Sequence, residues 1–158
     1  MRRLLPTWPV LLLILTEPAA GQQGPPEAHR AAEIEGLVNA AAEMLERRGR
    51  TAFPEFRTMG SRWRYGDVYL FVMDMRGIVL FNAAHPGREG LNWLDERDAD
   101  GKRFHQDFVE VVSTYGSGWV DYMFPRPGRT VPSVKWSYLC GVTIDGVPAL
   151  VGAGAYVE

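Results

Sequence analysis

Along this chain the spacing of apolar residues changes from a helical period to a period of two, back to helical, and then to two until the end. Ile34, Leu37, Val38, Ala41, Met44 and Leu45 form one stripe of a helix expected over residues 27–48. Pro26 suits its first turn. Arg47 and Arg48 place cations at the negative end of the helix dipole, and Gly49 is a natural stop. Such a helix is roughly 33 Å long at 1.5 Å per residue. Residues 51–66 are mixed, with a short helical turn expected near Pro54. Residues 67–73 and 78–81 then alternate as strands around the turn Asp74-Met75-Arg76-Gly77, a hairpin. A loop over 82–94 and a charged turn over 95–102 lead to a second helix over 102–115. Its core face carries Phe104, Phe108, Val111, Val112 and Tyr115, with His105 on its polar side. Strands follow at 118–124, 133–142 and 148–156, with turns at Gly128 and Asp145-Gly146. Helix, two strands, helix, three strands: hairpin-linked strands beside one long helix define an α+β domain around an antiparallel sheet of about five strands.

The N-terminus reads as an export signal over residues 1–21. Arg2 and Arg3 form a positive start, Trp8 to Leu15 a short apolar run, and Ala19 and Gly21 the small residues of a cleavage site. The run is well short of the ~20 residues of a spanning helix, so no membrane span is expected after cleavage. Residues 22–30 read as a flexible lead-in and 31–158 as one domain, large enough to bury a core without disulfide staples. The expected location is the periplasm or the exterior. Cys140 is the only cysteine, and its neighbours suggest a buried strand position. With 17 Lys and Arg against 19 Asp and Glu, the chain has no basic excess for nucleic acid or an anionic membrane surface.

Catalytic patterns are missing. The three histidines, His29, His85 and His105, have no recognisable nucleophile beside them, and no phosphate or dinucleotide loop occurs. No catalytic residue, cofactor or metal is expected. Glu96-x-Asp98-x-Asp100-Gly101, followed by Asp107, approaches calcium-loop spacing, but Glu stands first, Asp last, and no helix clearly leads in. Asp98 or Asp100 is expected instead to cap the second helix. The sharper signal is Lys135 inside the aromatic strand Val134-Lys135-Trp136-Ser137-Tyr138. A lysine there snorkels to the surface, pairs with a carboxylate, or faces a cavity and awaits an anion. Alternation puts Lys135 and Ser137 on one face and Trp136 and Tyr138 on the other, so Lys135 and Tyr138 meet one ligand only across a bulge or bend.

Taken together, Asp74-x-x-Gly77-x-Val79-Leu80, Gly90-x-Asn92, Asp98-Ala99-Asp100-Gly101-Lys102, Gly118-Trp119-Val120-Asp121-Tyr122, Pro132-x-x-Lys135-x-x-Tyr138 and Val151-Gly152-Ala153-Gly154-x-Tyr156 resemble a single Cache domain. This is the type-2 single form, the extracytoplasmic sensor of bacterial chemoreceptors and histidine kinases. The resemblance implies a PAS-like fold, with the long N-terminal helix packed on the sheet and the second, short helix over a pocket. It implies a small organic acid as ligand, and Tyr122, Lys135 and Tyr138 as ligand-facing residues. Asn82 stands where many relatives have histidine, with His85 three residues later; Trp119 and Phe71 would be pocket walls. The expected function is an exported sensor domain, stand-alone here, that binds a small anion and passes the signal to a membrane receptor or histidine kinase. The rival expectation is an envelope interaction module whose pocket is filled by its own side chains.

Overall fold

The computed structural model describes residues 24–157; the expected export signal lies outside the described residues. The first helix, α1 (Ala28–Arg48), forms as its stripe predicts. Ile34, Leu37, Val38, Ala41 and Leu45 are buried, joined by Ala42, while Met44 is half-buried. The helix begins within the span expected as a lead-in, directly after Pro25 and Pro26. It stops at Gly49, where φ is +56° and a Cβ would strike the Asp145 carboxylate at 1.8 Å, so glycine is required for two reasons.

A 3-10 turn (Gly49–Ala52) leads into α2 (Phe53–Arg57), the helical turn expected near Pro54. Phe56 packs on Trp63 and Phe81 and anchors this segment to the core. The first sheet strand is shorter than its alternation suggests. A small hairpin, β1 (Arg64–Tyr65) with β2 (Val68–Tyr69), precedes it, and β3 (Phe71–Asp74) starts after Leu70. Next comes β4 (Val79–Asn82). The turn between β3 and β4 is closed by Asp74, whose Oδ1 accepts from the Arg76 and Ile78 amides, each at 2.9 Å.

Beyond a single 3-10 turn (Pro86–Arg88) and a long loop, α3 (Phe104–Tyr115) is followed by β5 (Ser117–Pro125), β6 (Pro132–Ile144) and β7 (Val147–Tyr156). The strands lie in the order β4-β3-β7-β6-β5, every pair antiparallel. Two helices cover this sheet on opposite faces. The α1 face holds Glu35, which accepts from the Trp119 indole at 2.8 Å. On the α3 face, a Cβ at Gly118 or Gly141 would run into Val111 or Val112. Two expectations for α3 are corrected. Tyr115, placed on the core face, is 77% exposed, and His105, placed on the polar face, is buried. Phe104, Phe108 and Val112 of the expected stripe are buried and His105 joins them, so the buried face is widened toward His105 and leaves out Tyr115 at the helix end.

The acidic turn is corrected too. Neither Asp98 nor Asp100 caps α3, whose first turn has no side-chain cap. Asp98 instead clamps the turn to the sheet: Oδ1 accepts from the amides of Asp100 (3.0 Å) and Lys102 (2.9 Å), and Oδ2 from that of Met123 in β5 (2.9 Å). Cys140 is half-buried in β6, with burial pushing its thiol pKa up.

Candidate ligand-binding site

Between α3 and the sheet lies a cavity of about 20 Å³, room for about one water. Its wall includes Tyr69 and Phe71 of the sheet's first half, Tyr122 and Phe124 of β5, and Phe104, His105 and Phe108 of α3. Phe71 reaches it by lying over Gly152, its partner across β7, where a Cβ would approach the ring to 2.5 Å. That close approach lets Phe71 stack on Phe108 at 5.6 Å. Tyr122 lies flat against Phe104, ring centroids 4.5 Å apart and 5° from parallel. The Tyr122 hydroxyl is 2.9 Å from the Ser137 hydroxyl, and burial above all raises its pKa well beyond the ordinary phenol value.

Lys135 stands opposite Tyr122 in the β5–β6 register and is 1% exposed. Its ammonium is caged by five rings: Tyr69 at 4.1 Å, Tyr156 at 5.3 Å, Phe71 at 5.6 Å, Phe124 at 5.7 Å and Tyr122 at 5.9 Å. Such ring faces attract a cation but do not replace water as a counter-ion would. Among the described residues no carboxylate pairs with it. Asp67, whose charge favours the protonated form, is held by Arg126 at 2.7 Å. Burial therefore pulls the Lys135 pKa down to about 7. A desolvated ammonium among aromatic walls would be stabilised by an anionic partner at close range.

Of the residues expected here, Phe71, Asn82 and Tyr122 line the cavity, and Lys135 lies behind four of its rings. His85 stands just outside, edge-on to Tyr69 and Phe124, with its pKa lowered by burial and then by Lys135. The Asn82 carbonyl turns the chain: Oδ1 accepts from the amides of Ala84 (3.2 Å) and His85 (2.8 Å). Tyr138 and Trp119 are not brought to this cavity. The register of β6 with both neighbours runs unbroken through Tyr138, so no bulge re-aims it. It packs on Trp119 at 5.5 Å, on the α1 face of the sheet.

The lining residues not expected at the site include Arg88 and His105. Arg88 lays its guanidinium on Trp93 at 3.9 Å and pairs with Glu96. Burial drives the His105 pKa down to about 3, so the ring is neutral despite a Glu96 oxygen 3.4 Å from Nδ1. That oxygen makes no hydrogen bond to Nδ1, so burial outweighs its proximity. The buried i, i+3, i+7 spacing of His105, Phe108 and Val112 was the available signal for His105; the aperiodic loop around Arg88 offered none.

A helix-flanked, five-stranded antiparallel sheet with a small pocket, beside a buried cation unpaired among the described residues, defines a PAS-like domain. The chain belongs to the Cache domain family, whose profile matches residues 57–158. The solved periplasmic sensor domain of a chemotaxis protein is 32% identical, with a TM-score of 0.73 over 83% of this chain and 97% of that one. A Cache chemosensory domain described for carboxylic acid recognition is 27% identical, with a TM-score of 0.62 over 82% of this chain and 85% of its own. The methyl-accepting chemotaxis protein McpP of Pseudomonas putida is 27% identical over 92 residues, 58% of this chain but 16% of that protein. The chain thus spans a small part of that relative's length. Among the described residues no helix is long and apolar enough to cross a membrane.

Proposed function

We propose that this chain is an exported Cache sensor domain that binds a small organic acid, its carboxylate received by Lys135 with Tyr122 beside it. The observation that carries the reading is the Lys135 ammonium, buried among five rings with no carboxylate partner among the described residues. Residues 1–21 act as the export signal and 31–158 as the sensor, in the periplasm or outside the cell. The bound state is passed to a membrane receptor or histidine kinase through the difference in ligand affinity between two conformations. The relative described for carboxylic acid recognition supports the ligand class.

The cavity of about 20 Å³ is too small for a C2–C4 acid as it stands, so ligand entry requires the wall to move. Arg88, Phe104 and Phe124 separate the cavity from an outer groove and form that wall. The same small volume favours a second reading, an interaction module whose pocket its own side chains fill. Thermal unfolding against C2–C4 carboxylates, with amino acids and chloride as controls, separates the two. A ligand at 100 times its Kd adds roughly 2.7 kcal/mol and raises Tm by several degrees. An acid that shifts the wild type but not Lys135→Met supports the sensor. No shift with any acid sinks it and leaves the interaction module.

A further inference from the structure

The cavity and the outer groove share a wall. Arg88, Phe104 and Phe124 line both, whereas the groove beside the β3–β4 turn meets the cavity through Val79 alone. At about 620 Å³ the outer groove has the room for a small acid that the cavity lacks. Three loops enclose it: the 3-10 turn with Gly87, the acidic turn with Arg97, and the β5–β6 connection with Arg129. Its charges do not cancel. Glu96 is taken up by Arg88, and the Asp98 oxygens are turned to three backbone amides. Arg97 donates to the Gly101 carbonyl at 2.8 Å and meets no carboxylate among the described residues, and Arg129 has no polar side-chain partner among them. With 19 acidic against 17 basic residues, the chain as a whole repels an anion, so two uncompensated guanidinium groups on one groove make a local exception.

Building on the organic-acid reading, we infer that the outer groove is the vestibule through which the acid enters, with Arg97 and Arg129 drawing its carboxylate in from solvent and the shared wall as the door to Lys135. Phe124 is the barrier between the two cations on that path. The Arg88 guanidinium lies 5.4 Å from its ring centroid and the Lys135 ammonium 5.7 Å, so an anion that reaches Arg88 is one aromatic ring away from the buried charge. Arg88 gives Glu96 two of its five N–H donors, which leaves it donors for a passing carboxylate. Gly87, on the groove wall, has open space where a Cβ would stand, so a side chain fits there and narrows the passage without touching the cavity lining.

Stopped-flow mixing of the purified protein with acetate, propionate and L-lactate, read by tryptophan fluorescence, tests this. At about 10 mM salt, the double variant Arg97→Gln/Arg129→Gln is expected to associate roughly three- to tenfold more slowly, with the dissociation rate changed by less than about twofold. At about 1 M salt the difference from wild type should disappear, because screening acts on the approach and not on the seated acid. Arg47→Gln removes an exposed cation of α1, across the sheet from the cavity, and should leave both rates unchanged. Gly87→Phe should slow entry and exit by the same factor, about threefold or more, and leave Kd within about twofold, since an obstructed path changes both rates and not the equilibrium. Association that ignores the two arginines at low salt, a deficit that persists at high salt, or a Gly87→Phe variant that changes neither rate or only one would each overturn the inference while leaving the organic-acid reading intact. If none of the acids binds in parallel calorimetry, the organic-acid reading fails first and takes the inference with it.

Discussion

At the residue scale, the proposed carboxylate site ties binding to protons through Lys135. In the empty site its pKa is about 7, so above neutrality much of it is uncharged. A bound carboxylate favours the ammonium and raises that pKa, so binding takes up a proton. Acid affinity should therefore hold steady below pH 7 and weaken above it by up to about tenfold per pH unit, until the pKa of the occupied site is passed. Titrations in buffers of different ionisation enthalpy at pH 8 should register proton uptake; equal apparent heats in all of them would contradict it. Tyr122→Phe separates the phenol from the cation. It removes the hydroxyl contact to Ser137, for which a loss of about 1 kcal/mol in urea unfolding is expected, while Lys135 stays caged.

At the element scale, the site depends on how closely β7 lets Phe71 approach. A side chain at Gly152 would meet Phe71 at 2.5 Å and Leu139 at 2.7 Å, so Gly152→Val forces the ring toward the cavity. The expected cost is about 1–3 kcal/mol of stability, with loss of acid binding even where the fold survives. A variant that unfolds at the wild-type midpoint and still binds would show that the ring has somewhere else to go. Strand periodicity made much of this layout legible. Alternation already set Lys135 and Ser137 apart from Tyr138, and the unbroken register kept them apart. What stayed hidden was whatever depends on pairing or on loops. That Tyr122 faces Lys135 is a fact of register between strands, and Arg88 reaches the pocket through a stack on Trp93 that no repeat announces. Asp98 misled because a carboxylate that accepts from three backbone amides looks in sequence like a helix cap.

At the scale of the whole molecule, the buried groups give folding stability an unusual pH dependence. His105 and Lys135 both have depressed pKa values, to about 3 and about 7. Between the folded and unfolded values the unfolded chain holds the extra proton, so stability climbs with pH, first from about 3 to 6.5 and again from about 7 to 10.5. Each such group contributes a slope of up to roughly 1.4 kcal/mol per pH unit inside its window. Tyrosines set the upper limit. Burial and the Glu33 carboxylate push Tyr65 up to about 12, and Tyr69, Tyr122 and Tyr156 are raised as well, so above about pH 10 the unfolded chain loses protons the folded one keeps. The empty domain should thus be most stable near pH 9–10, above the usual range of about pH 5–8. Urea unfolding from pH 5 to 11 measures the profile, and Lys135→Met should flatten its rise above neutrality while stabilising the protein at pH 6, where the buried charge costs most. A bound acid should flatten the same rise by a different route, since it keeps Lys135 charged and compensated. The stabilisation by ligand, read as the gap between the two profiles, should then be widest at or below pH 7 and narrow toward pH 10; a gap of constant width would mean that the anion is held without Lys135.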